Sequence, residues 1–140
     1  ISDIEMDGWL VATIEVSEDD EVIEIKNSIE EWYDPDYQKS QSLFLLGHVP
    51  VPYSGNSAHD GHGDHQGAWP ADVFYGEFDG NWTDVFVNNT TPSRGKNHNV
   101  PGDGKYDNTS IPSNMELEIG RVDFSQLPAF AEDEIELTRN

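Results

Sequence analysis

Alternation and helical periodicity divide the chain into a few short elements separated by long polar stretches. Ile1 to Asp7 reads as the tail of a helix stopped at Gly8. From Trp9 to Val16 the apolar residues Leu10, Ala12, Ile14 and Val16 fall on one face, which predicts a strand. Ser17 is the expected N-cap of a second helix, and Glu18, Asp19 and Asp20 favour a helix N-terminus there. Val22, Ile25, Ile29 and Trp32, with Tyr33, then share a helical stripe, and Asp34-Pro35 ends it. Leu43 to Leu46 is a continuous apolar run of the kind buried in parallel sheets. Strand, helix, strand in this order is a βαβ unit, so the expected class is α/β with a mostly parallel sheet.

The second half is sparser. Val49 to Pro70 reads as loop, and Val73 to Tyr75 as a short strand or extended segment. Asn88 to Ser113 is loop again, rich in Asn, Thr, Pro and Gly. Met115 to Val122 alternates, with Met115, Leu117, Ile119 and Arg121 opposite Glu116 and Glu118, which predicts a strand. Ser125 is placed to cap a last helix with Leu127, Phe130 and Ile135 as its apolar positions. With no repeat and no linker, residues 1–140 read as a single partial domain. A helix tail at the start and the charged stretch ELTRN at the end imply a sheet incomplete at both ends. The expected partner is therefore the remainder of a larger polypeptide, or a second processed chain.

Composition narrows the function classes. Twenty-eight acidic residues against seven basic ones give a formal charge of −21. Phosphates would be repelled, which excludes nucleic acid as a partner; multivalent cations and salty media suit such a surface. No apolar run reaches the length of a membrane span. No signal peptide is visible, and a mature secreted protein would show none. Cysteine is absent, so these residues hold no disulfide, no thiolate metal site and no cysteine nucleophile. Four Asn-x-Ser/Thr matches, at Asn81, Asn88, Asn89 and Asn108, are consistent with secretion but arise readily in Asn- and Thr-rich loops.

The candidate chemistry lies mainly between Leu43 and Gly80, where an apolar run opens into a loop dense in Pro, Gly, His and Asp. Open α/β sheets place ligands beyond the carboxyl ends of their strands, and this loop is long for a mere connection. His48, at the end of the apolar run, could act as a general base, yet no Ser, Thr or Lys stands out as its nucleophile. His59, His62 and His65 are spaced three apart and interleaved with Asp60 and Asp64, a set that could bind Zn²⁺. Nothing in the sequence makes that loop helical, Gly61 and Gly63 loosen it, and no Cys supports a structural zinc site. Zinc is accordingly the disfavoured alternative.

Ca²⁺ is the expected cation, held by the oxygen-rich turns of Asp79, Asn81 and Asp84 and of Asp103 and Asp107. Neither turn is an EF-hand. Counting from Asp79, Asp84 stands where Gly is needed and Thr90 where Glu is needed; counting from Asn99, Pro101 and Ser110 fail. A calcium site would have to be assembled from separate loops.

The segments DGWLVATIEVSEDDEVIEIKNSIEEWYD, LFLLGHVPVP, ADVFYGEFDG and MELEIGRVD together resemble the front half of the gingipain-like cysteine peptidases. Closer still is the likeness to large secreted bacterial proteins of that group with a GHVPVPYSG…DGHGDHQGAWPAD…YYG…DG-WTD pattern. The resemblance covers nearly all of Asp7 to Phe130. It implies a caspase-like, flavodoxin-like three-layer α/β sandwich, an extracellular or cell-surface location, structural Ca²⁺, and a protein substrate. In that family the catalytic His and Cys follow the strand that matches Met115 to Val122, so this chain would be inactive alone. The glutamate that orients the catalytic histidine in the family matches Glu116. One position departs: His48 stands where gingipains carry Asp after the strand-ending glycine. The rival expectation is a non-catalytic, Ca²⁺-ordered extracellular module of the same fold.

Overall fold

A computed structural model describes residues 1–37, 41–58 and 60–124. The final helix expected after Ser125, and His59, lie outside the described residues. The described chain is α/β in content. Helix α1 (Ser2–Met6) is followed by α2 (Val22–Trp32), then by β1 (Ser42–Leu46), β2 (Tyr53–Ser54), β3 (Trp69–Pro70) and β4 (Glu118–Val122). Three single 3₁₀ turns, Gly63–His65, Asp72–Tyr75 and Gly95–Asn97, punctuate the loops. No described helix is long and apolar enough to cross a membrane.

Strands β1 and β4 pair in parallel, with Ser42 beside Glu118 and Leu46 beside Val122. The Gly47 N–H continues the ladder to the Val122 carbonyl at 2.9 Å, and Gly47 then turns the chain away at φ +77°. Such a backbone angle is open to glycine at little cost. Strands β2 and β3 form a separate antiparallel pair. The core gathers between α2, β1 and the Asp72–Tyr75 turn: Ile25, Ile29, Leu45, Phe74, Tyr75 and Leu117 are buried, with Ile14, Val16 and Tyr33 packed against them.

Several expectations change. Residues 9–16 pair with no strand among the described residues, although Ile14 and Val16 still face the core. Leu10 and Ala12, placed on the same face, are exposed; ladder bonds need a neighbouring edge, and none is supplied there among the described residues. Ser17 and Asp20 form a closed turn of their own, with the Ser17 N–H donating to the Asp20 carboxylate at 2.7 Å. Helix α2 therefore starts later, at Val22, with Glu21 as its N-cap. Trp32, placed on the apolar stripe, is 64% exposed, and Lys26 is buried on that stripe instead. The segment Val73 to Tyr75 is a 3₁₀ turn, which lets both Phe74 and Tyr75 enter the core. The strand at Met115 to Val122 is shortened to β4 because Glu116 and Leu117 both donate their N–H to the Gly76 carbonyl.

Strand β1 is the largest departure. Its apolar run predicts burial on both faces, yet Leu45 is buried while Phe44 and Leu46 are 61% and 65% exposed. One face of the parallel pair is covered by α2 and the aromatic turn. The other face is bare among the described residues.

Candidate functional site

At the carboxyl ends of the parallel pair, His48 and Asp123 approach each other, with Nδ1 and Oδ2 3.7 Å apart. This is the edge where α/β sheets hold ligands. Asp123 was not a sequence candidate; only the parallel register shows that it faces His48.

Glu116 lies at the other edge, ahead of β4. Its Oε2 accepts the Phe78 N–H at 2.6 Å, and a cleft of about 590 Å³ lined by Tyr33, Tyr37 and Met115 adjoins it. Glu116 precedes the first residue of β4, whereas His48 follows the last residue of β1, which runs parallel to it. Glu116 and His48 are therefore at opposite ends of the sheet.

Beneath Glu116 sits a polar centre that the sequence reading missed. Glu77 is fully buried. Its Oε1 accepts from the Gly80 N–H and the Ser113 hydroxyl, and its Oε2 from the Trp82 indole N–H. Burial alone would raise its pKa, but these donors and the Lys26 ammonium hold it below the ordinary range. The Lys26 Nζ lies 4.5 Å from the centre of the Phe74 ring, and Phe74 stacks on Tyr106 at 4.5 Å. Burial lowers the Lys26 pKa, opposed by Glu77, Glu30 and Glu116. The available signal was a lysine on an apolar helical stripe and a glutamate between Gly76 and Phe78.

The acidic turns do not converge on a cation. Asp107 accepts from the Val85 and Val87 N–H groups and the Thr83 hydroxyl, each at 2.8 Å. The Asp84 oxygens accept from the N–H groups of Gly102 and Gly104 at 2.7 and 2.8 Å. Asp103 accepts from Val100 and Lys105. Asp79 and Asn81 are exposed. Asp84 and Asp103 both organise the turn of residues 100–105, and Asp107 organises residues 83–87; among the described residues no three of these carboxylates bring their oxygens within 4.8 Å of one another.

The histidine loop does converge. The 3₁₀ turn Gly63–His65 is closed by the His65 N–H donating to the His62 carbonyl at 2.9 Å. Side chains three apart eclipse in a 3₁₀ turn, which brings His62 and His65 to the same side. Their Nδ1 atoms both meet Asp60 Oδ2, at 3.2 and 2.6 Å. Among the described residues, Asp60, His62 and His65 are the one group of three histidine or carboxylate side chains whose ligand atoms all lie within 4.8 Å of one another. The hydrogen bond to Asp60 raises the His65 pKa, and the His65 and His62 contacts hold the Asp60 carboxyl well below the usual range. The sequence spacing suggested this set, but the reading that nothing makes the loop helical is corrected by that single turn.

Behind the loop, the Trp69 indole N–H donates to the His65 carbonyl at 2.8 Å. Trp69 also lines a cavity of about 410 Å³ whose floor includes Asp72 and Arg121. Arg121 grips Asp72 with two hydrogen bonds, at 2.8 and 2.9 Å, and donates to the Val49 and Pro50 carbonyls. With its donors so engaged, Arg121 is a clasp between β4 and the loop after β1.

Comparison of the chain with protein-family models, with curated proteins and with solved structures yields no match.

Proposed function

We propose that this chain forms the front part of a secreted, caspase-like cysteine peptidase domain of the gingipain-like type, supplying scaffold and a supporting carboxylate but no nucleophile. The observation that carries the reading is the half-covered parallel sheet. Parallel pairs are buried on both faces, and Phe44 and Leu46 leave one face of β1 open for further structure. The resemblance of the LFLLGHVPVP and MELEIGRVD segments supplies the family, and both segments carry the paired strands. With no cysteine in the sequence, the thiolate must come from another stretch of polypeptide.

In this reading Glu116 takes the role that the resemblance gives it, orienting the catalytic histidine, from the edge opposite His48 and Asp123. A carboxylate on an imidazole N–H fixes the tautomer and stabilises the imidazolium. Glu116 accepts one backbone N–H through Oε2, while Oε1 takes no hydrogen bond among the described residues. The histidine would then approach the cleft beside Tyr33 and Met115. Calcium, expected from the same resemblance, is left out of the reading because the acidic turns do not converge.

The test is the native protein isolated from its source, treated with an irreversible peptidyl ketone that labels cysteine peptidases. The reading expects this chain within a larger labelled polypeptide, or tightly bound to a labelled second chain. Glu116→Gln in that species should slow turnover and leave the fold intact. A native species of 15.7 kDa, alone and unlabelled, would overturn the peptidase reading and leave a non-catalytic module.

A further inference from the structure

We infer that Asp60, His62 and His65 form a binding site for a divalent first-row transition ion of the Zn²⁺ class, with one coordination position left open. The site stands independently of the peptidase reading.

The donor set comes first. Two imidazole nitrogens and one carboxylate oxygen suit a borderline ion, whereas Ca²⁺ and Mg²⁺ call for oxygen ligands. Geometry comes second. With metal–ligand bonds near 2 Å, tetrahedral donors sit about 3.3 Å apart. His62 Nδ1 and Asp60 Oδ2 are already 3.2 Å apart, and His65 Nδ1 is 2.6 Å from the same oxygen. Small rotations of these solvent-facing side chains open the second distance. The ion takes the place of the proton shared between Nδ1 and the carboxylate, and that proton leaves to solvent.

The surroundings hold the ligands in place. Asp60 uses its other oxygen, Oδ1, to accept the His62 N–H at 3.1 Å, which fixes the carboxylate against the turn. Asp64 Oδ2 lies 3.8 Å from His65 Nε2, on the far side of the ring. Once the ion holds Nδ1 the ring proton is on Nε2, and a small rotation of Asp64 lets it accept that proton, as outer-sphere carboxylates do for metal-bound histidines. The Trp69 ring meets the His65 ring edge-on, with centres 6.1 Å apart, and its N–H holds the His65 carbonyl. The two ligand histidines also meet edge-on, at 5.4 Å. Three protein ligands with a vacant fourth position would let water or a donor from a partner complete the shell.

The test is a titration of the 140-residue chain with Zn²⁺ alone, followed by calorimetry and by the histidine ring signals in NMR. One ion per chain with micromolar or tighter affinity is expected, with the ring signals of His62 and His65 shifting and those of His48 and His98 unmoved. His62→Ala and His65→Ala should each weaken binding by about tenfold or more, and Asp64→Asn by less. His48→Ala should leave it unchanged, and Ca²⁺ should not compete. Because the loop is exposed, these variants should keep the far-UV spectrum and melting temperature of the metal-free chain. Absence of saturable binding, or binding that survives loss of both His62 and His65, would overturn the assignment.

Discussion

Asp107 is a buried carboxylate whose partners are almost all backbone N–H groups, so its oxygens do the work that a strand partner would do elsewhere. Asn in its place keeps one acceptor and turns an NH₂ toward donors. Asp107→Asn should therefore destabilise the chain by about 2–3 kcal/mol in urea or thermal unfolding. The pH dependence has a definite sign. Burial would raise the Asp107 pKa, but the Val85, Val87 and Thr83 donors take it below its ordinary 3.8. The stabilisation is complete above that value and is lost as pH falls through the lower folded-state value. The gap in stability between wild type and Asp107→Asn should thus be constant above about pH 5 and shrink below pH 4. A gap that widened in acid would contradict this. Asp107 was legible as an oxygen donor, but its partner was not. A carboxylate in an Asx-rich loop can meet a cation or an N–H group, and sequence does not say which.

At the scale of elements, α2 and the Glu77 turn are joined through Lys26. Removing either charge alone leaves the other buried beside aromatic rings, and removing both does not. Lys26→Met and Glu77→Gln should each cost about 2–4 kcal/mol, and the double variant should cost less than their sum by a kilocalorie or more. Additive effects would show that the two charges do not interact. The stretch just after the histidine loop carries a second, steric constraint. Gly67 has φ +120°, and a Cβ there would fall 2.2 Å from the Asn97 carbonyl oxygen. Ala68 and Asn97 exchange two hydrogen bonds at this contact, at 2.9 and 2.6 Å. Gly67→Ala should therefore lower stability by about 2–4 kcal/mol, read as a lower melting temperature. The α2 period and the β4 alternation were readable because each is a local pattern matched to one buried face; the β1 run marked a strand but not that one of its faces would be exposed. The 3₁₀ turns at Gly63–His65 and Asp72–Tyr75 were not, since a single turn leaves no periodic trace.

For the whole molecule, the exposed face of β1 and the calcium question decide what the chain is for. Phe44→Ser in the isolated chain should change stability by less than about 0.5 kcal/mol, the usual effect at a site with little burial. In a larger native species that covers this face, the same change should cost about 3 kcal/mol or more. Equal effects in both would show that nothing further packs there. Millimolar Ca²⁺ should leave the melting temperature of the isolated chain unchanged, because ligands stabilise only where the folded state binds them and the acidic turns offer no common site. The sequence by itself determined the α/β class, the placement of α2, β1 and β4, the strongly acidic charge, and the absence of a cysteine nucleophile. These follow from local periodicity and from composition, which need no knowledge of distant contacts. Only the tertiary structure decided that β1 and β4 are parallel neighbours, that Glu116 and His48 lie at opposite edges, and that Glu77 and Lys26 share the core. It also decided that Asp60, His62 and His65 meet at one point while the acidic turns do not. Each of these depends on where a side chain's partner comes to lie after the long loops close, and loop closure is set by the whole chain rather than by any stretch of it.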